Sequence, residues 1–152
     1  MKKPIDPEKI KNVLISRTDR LGDVVLTLPL VSECKRNFTN AKVWMLVSKY
    51  TGELIEGYDD IDEVVYREDF YSRSEMKEFF KKSGIDMVIH AFPRPDISYA
   101  AFLARVKYRV GTSTRWYSFA YNYKVKQHRS ECAQNEADYN LDLLESVIDG
   151  TD

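Results

Sequence analysis

Cysteine, histidine and glycine are scarce in this sequence, and each shortage removes a class of function. There are two cysteines, Cys34 and Cys132, far apart and without metal-ligand spacing. They read as reduced thiols of a cytosolic protein, not as a disulfide framework. The two histidines, His90 and His128, have no zinc spacing and no neighbouring nucleophile, so each is read as a hydrogen-bonded or surface residue before a catalyst. No metal is expected. No basic run stands out and the formal net charge is -1, which argues against a nucleic-acid partner. No apolar run reaches membrane-spanning length, and the charged N-terminus MKKPIDPEKIKN is no signal peptide. Any membrane association is therefore expected to be peripheral.

What is present suits one soluble domain. A chain of 152 residues buries roughly two-thirds of the surface its unfolded form exposes, enough for a core. Short apolar runs at Asn12–Ser16, Lys42–Val47, Glu63–Tyr66, Ile85–His90 and Lys107–Val110, the last closed by Gly111, predict five strands. Helical patterns lie between and after them. One covers Leu28–Asn37. A second opens at a capping box beginning at Ser72 and stops at Gly84. A third covers Pro95–Arg105, and a fourth Cys132–Ile148, with Leu141, Leu144 and Ile148 on one face. Residues 1–11 read as a solvated lead-in. Alternating strands and helices, with continuously apolar strands, predict an α/β fold: a Rossmann-like, doubly wound parallel sheet.

In such sheets ligands bind beyond the carboxyl ends of the strands, near the switch point. Those ends carry Arg17, Thr18, Asp19, Arg20, Gly22 and Asp23 after strand one, and Ser48 and Lys49 after strand two. They carry His90, Arg94 and Asp96 after strand four, and Thr112, Ser113, Thr114 and Arg115 after strand five. Cations on several loops of one rim suit an anionic ligand, phosphate above all, which guanidinium groups bind bidentately.

The loop after strand one is the most informative segment. It has a single glycine, so it is neither a dinucleotide fingerprint nor a P-loop. Pro29 belongs in a helix first turn with Thr27 as N-cap, which places Gly22 and Asp23 in a tight turn ahead of the helix. Gly22 would let the backbone approach a ligand or take up positive φ. Asp23 reads either as a turn or capping aspartate or as a general base for an attacking hydroxyl. A helix N-terminus and the neighbouring Arg17 and Arg20 would make it a weaker base.

Arg17 to Pro29, RTDRLGDVVLTLP, resembles the first motif of the ADP-heptose:lipopolysaccharide heptosyltransferases, glycosyltransferase family 9. The resemblance continues through AKVWMLVSKY, IDMVIH, YRVG and NEADYNLDLLESV, and so covers nearly the whole chain. It implies the N-terminal, acceptor-binding half of a GT-B glycosyltransferase spanning 1–152, with the C-terminal donor-binding domain absent and the fragment alone inactive. The implied reaction is transfer of heptose from ADP-heptose to the lipopolysaccharide inner core, with inversion and without a cofactor. Asp23 matches the family's candidate base. Arg17, Arg20 and Lys49 would face acceptor phosphates or the cleft, with Gly22, Arg94 and Arg115 completing the expected substrate-binding set. Two positions depart from the family: Asn135 stands where it commonly has histidine, and His90 where it commonly has aspartate. A cytoplasmic location, peripheral to the inner membrane, fits this reading, as does some tendency to dimerise through exposed cleft surface. The competing readings are a same-fold transferase using another nucleotide sugar and a non-catalytic α/β binding module. The aromatic segment Arg115–Lys126 is read as packing in preference to sugar stacking.

Overall fold

The computed structural model describes residues 5–127 and 135–148. His128, Arg129 and Cys132 lie outside them. Among the described residues, six strands form one sheet: β1 (Asn12–Ser16), β2 (Lys42–Val47), β3 (Glu63–Tyr66), β4 (Met87–His90), β5 (Tyr108–Thr112) and β6 (Tyr123–Val125). Their order is β3-β2-β1-β4-β5-β6, and every pairing is parallel. All carboxyl ends therefore share one edge, and the order reverses between β1 and β4, the switch point of a doubly wound fold.

The helices are α1 (Leu21–Val25), α2 (Leu28–Asn37), α3 (Lys49–Ile55), α4 (Arg73–Lys82), α5 (Pro95–Leu103) and α6 (Glu136–Ile148). Strand alternation divides the core between the two faces of the sheet. Val13, Ile15, Val43, Met45, Met87 and Ile89 pack with Leu30, Val31 and Cys34 of α2 and Leu143, Leu144 and Val147 of α6. Leu14, Leu46 and Val88 point the other way, onto Met76 and Phe80 of α4 and Ile97, Ala100 and Ala101 of α5. Among the described residues, no helix is long and apolar enough to cross a membrane.

The first three strands and α2 have the predicted bounds. Ser72 caps α4 by accepting a hydrogen bond from the Glu75 amide at 3.2 Å, and Gly84 ends that turn at φ 70°. Four expectations need correction. The lead-in is not simply solvated, because Ile5 and Ile10 are buried in the core. Gly22 and Asp23 lie inside helix α1, not in a turn, and Gly22 does not have positive φ. Thr27 precedes α2 but its hydroxyl does not cap it; the hydroxyl donates back to the Asp23 carbonyl at 2.8 Å. The buried face of α6 runs through Tyr139, Asn140, Leu143, Leu144 and Val147, leaving Leu141 and Ile148 only half-buried.

Gly111 does not close β5 but lies within it. The Tyr121 ring packs against it so closely that a β-carbon there would sit 2.4 Å from a ring carbon. Tyr117, Tyr121 and Tyr123 are buried, as the packing reading holds, whereas Trp116 and Phe119 are 79% and 51% exposed.

Candidate active site at the end of the first strand

The last residues of β1 carry the chain out of the sheet beside the switch point. The Arg17 amide donates to the Leu46 carbonyl at 2.9 Å, extending the β1–β2 pairing by one residue. The Arg17 side chain turns inward and is 2% exposed. A guanidinium withdrawn from water needs hydrogen-bond acceptors and countercharge, and it has both. Nη1 donates to the Ala91 carbonyl at 2.8 Å and to Glu136 Oε1 at 2.9 Å. Nη2 donates to Asp19 Oδ2 at 3.2 Å and lies 3.4 Å from Asp23 Oδ1. Nε is 2.9 Å from Asp19 Oδ1, a charge contact without hydrogen-bond alignment. The Phe92 ring lies 5.8 Å from the guanidinium carbon. Arg17 thus joins the first loop, the end of β4 and the first turn of α6.

Asp23 is the most open carboxylate of this group, 32% exposed against 14% for Asp19 and 21% for Glu136. Short helix α1 presents it, and Asn140 steadies the far end of that helix. Asn140 is fully buried. Its amide donates to the Leu26 carbonyl at 3.3 Å and to the Thr27 hydroxyl at 3.2 Å.

Asp19 has the notable acidity. Burial pushes its carboxyl up to about 6, and a hydrogen bond with Asp23 and the Asp23 charge add to this, against the opposing pull of Arg17. A carbon-detected NMR titration is expected to give an Asp19 midpoint near 6. Asp23→Asn is expected to lower that midpoint, because it removes the neighbouring charge. An unchanged midpoint would show that the two carboxyls do not interact.

The remaining predicted cations divide into two groups. Lys49 Nζ is 3.2 Å from Asp69, and Arg94 Nε donates to Asp96 at 3.3 Å. Arg67, which follows β3, also binds Asp96. Burial opposes ionisation of Asp96, but the Arg67 and Ile97 hydrogen bonds and the charges of Arg67 and Arg94 hold it below the usual carboxylate range. Arg20 and Arg115 are exposed and form no ion pair among the described residues. The rim is cationic in sequence but is neutralised locally at Arg17, Lys49 and Arg94. Of the predicted site residues, Arg17 and Asp23 are in direct contact; Gly22 precedes Asp23 on α1 and Arg20 is the residue before that helix, while Lys49, Arg94 and Arg115 follow β2, β4 and β5.

Sequence reasoning assigns no role to Asp19, Glu136, Asn140 or Arg67. The available signal is polar residues in otherwise apolar contexts: Asn140 falls on the buried stripe of α6, and Glu136 opens that helix beside Asn135. Asn135 now has a structural role, since its side chain accepts the Asp138 amide at 3.0 Å as the α6 N-cap. His90, register partner of Ser16, is 1% exposed and lies 4.9 Å from the Tyr121 ring. Burial and the nearby Arg109 charge push its imidazole down to about 3, so it is neutral at physiological pH.

No protein-family model matches the chain. A curated Haemophilus influenzae protein, provisionally assigned as a glycosyltransferase, is 28% identical over 142 residues, covering 91% of this chain and 41% of that protein. A glycosyl transferase family 9 structure from Veillonella parvula superposes with a TM-score of 0.77 at 18% identity, over 98% of this chain and 44% of that one. Escherichia coli heptosyltransferase WaaC with ADP superposes with a TM-score of 0.71 at 19% identity, over 90% of this chain and 46% of that one. The chain spans less than half the length of each of these relatives. In fold the chain is that of glycosyltransferase family 9 structures, and it resembles the family's heptosyltransferases over the part of them that it spans.

Proposed function

We propose that the chain is the acceptor-binding domain of an inverting glycosyltransferase. Asp23 accepts the proton of the attacking acceptor hydroxyl, and a partner domain supplies the nucleotide sugar. The observation that carries this reading is the placement of Asp23: a part-exposed carboxylate at the carboxyl edge of a doubly wound sheet, fixed through Arg17 to the switch point. The transferred sugar is heptose from ADP-heptose and the acceptor is the lipopolysaccharide inner core. Support for these comes from the motif Arg17–Pro29 and from the likeness to heptosyltransferase structures.

In this reading, acceptor hydroxyl oxygen attacks the anomeric carbon, the bond to the diphosphate breaks, and ADP leaves with that electron pair. The hydroxyl proton passes to the Asp23 carboxylate. Arg17 does not bind acceptor phosphate; it aims the base. Nothing lies within 4 Å of the position a Gly22 β-carbon would take, so an acceptor has open access past that residue. Arg20 and Arg115 supply the unpaired charge for acceptor phosphates. Exposed Val25, Leu26, Tyr50 and Leu54 on and beside α1 and α3 form the apolar surface that faces the partner domain.

The test is a transfer assay with the chain joined to a donor-binding domain, using radiolabelled ADP-heptose and a lipid A–Kdo acceptor. Labelled lipid and free ADP are the expected products. Transfer from a different nucleotide sugar, with none from ADP-heptose, would reassign the donor. No transfer from any nucleotide sugar would leave the non-catalytic module as the reading.

A further inference from the structure

Beyond the Asp23 site, the same edge of the sheet carries a cleft of about 440 Å³ whose walls are mostly aromatic. That volume is within the roughly 300–1,000 Å³ of small-molecule sites. It lies where α5 opens after β4 and where the chain leaves β5, so Asp96 and Pro95 form one side and Trp116 and Phe119 another. Arg73 and Tyr99 complete it, the Arg73 guanidinium stacked over the Tyr99 ring at 4.7 Å. Tyr99 and Phe119 meet edge to face at 6.3 Å, and Trp116 stands edge to face on Tyr117 at 5.3 Å.

The exposure of these rings is the informative part. Tyr121 and Tyr123 in the same segment are buried, yet Trp116 leaves 79% of its surface in water and Phe119 51%. Large exposed aromatic surface grouped in a concavity marks a recognition site in preference to a solvated face. The polar groups limit the ligand. Asp96 is held ionised by Arg67 and Arg94 and offers a carboxylate acceptor; Arg73 offers guanidinium donors. A ligand that satisfies both has one apolar face and an edge of hydroxyls. An acyl chain offers neither group a hydrogen bond, whereas a sugar hydroxyl can donate to the Asp96 carboxylate, beside its bonds from Arg67, Arg94 and the Ile97 amide, and can accept from Arg73.

We infer that this cleft is a subsite for a pyranose ring, stacked on Trp116 with its hydroxyls directed to Asp96 and Arg73. The inference rests on the acceptor-binding reading and adds to it a second contact region. The cleft shares the carboxyl edge of the sheet with Asp23, but its α4 and α5 residues belong to the face opposite the one on which α1 packs. The ring held here is thus distinct from the reacting sugar beside Asp23.

The experiment is calorimetric titration of the 152-residue chain with deacylated, dephosphorylated inner-core oligosaccharide, so that phosphate contacts contribute nothing. Trp116→Ala is expected to weaken binding about tenfold or more, as removal of a central tryptophan contact does, and Trp116→Phe to recover most of it. The high exposure of Trp116 makes both substitutions compatible with folding, which circular dichroism checks. Wild-type binding that Trp116→Ala leaves unchanged overturns the subsite while the transferase reading stands. Absence of any wild-type binding also overturns it. Failure of the transferase reading shows separately, as no transfer from any nucleotide sugar in the joined protein.

Discussion

Arg17→Ala is expected to destabilise the domain by about 3–5 kcal/mol, the usual result of removing one partner from a buried ion network. The side chain is 2% exposed and contacts three carboxylates, so its removal takes away the cation that Asp19, Asp23 and Glu136 share. Urea unfolding measures the loss. Its pH dependence identifies the cause. Without the pull of Arg17 the buried Asp19 carboxyl resists ionisation more strongly, so protonation relieves part of the cost, and the variant's deficit should shrink as pH falls from 8 toward ~5. A deficit independent of pH would point to lost packing instead. Arg17→Lys should recover only part of the stability, since an ammonium lacks the planar fork that meets Asp19 and Glu136 together. This prediction also revises the function of the residue: loss of acceptor binding in Arg17→Ala would report a collapsed loop, not a missing phosphate contact.

The second large effect is on chemistry. In the joined transferase, Asp23→Asn is expected to lower kcat about 10²–10⁴-fold, the range for removal of a general base. KM for the acceptor should change little, because the asparagine keeps the size and polarity of the aspartate. Unchanged turnover would eliminate Asp23 as the base. The acid limb of the rate profile gives an independent check. A carboxyl pair that has taken up a proton is a poorer acceptor for the hydroxyl proton. The rate should therefore fall as pH drops through about 6, where Asp19 protonates. Asp19→Asn removes the titrating carboxyl and should abolish that limb near 6.

Much of the frame was legible because its cause is local. Val13–Ile15 and Val43–Val47 are apolar runs bounded by polar residues, and burial on both faces of a parallel sheet demands such runs. α3 was hidden by its length and by Gly52, which packs against Tyr66. β6 was hidden because three residues among tyrosines give no periodicity. Helix α1 was read as a turn from the Gly-Asp pair; five residues are too short for a pattern, and the helix exists because Val24 is buried beneath it. The proposal of Asp23 as the base comes from its motif. The character of the Arg17 cluster was not. It depends on Glu136 and Asn140, 119 and 123 residues away, and no local pattern reveals that an arginine will be buried by the far end of its own chain.

Asp19 and Asp62, at opposite edges of the sheet, respond to acid in opposite ways. At the amino edge Asp86 accepts the Lys11 and Asn12 amides at 2.8 and 2.9 Å, and Asp62 accepts the Val43 amide at 2.7 Å. Burial works against Asp62, but its bonds from Lys35 and Val43 hold it below its ordinary 3.8. A depressed acid contributes stability that is present above its unfolded value and lost only as pH falls through the folded one. Asp19, raised to about 6, behaves in the opposite sense: its ionisation costs stability above that value, and protonation relieves the cost. Acid therefore reaches these two groups in sequence. Between about 6 and 3.8 Asp19 takes up its proton while the Asp62 clasp on β2 stays closed. Mild acidification is thus expected to change the charge beside Asp23 before it loosens the hold of Asp62 on β2.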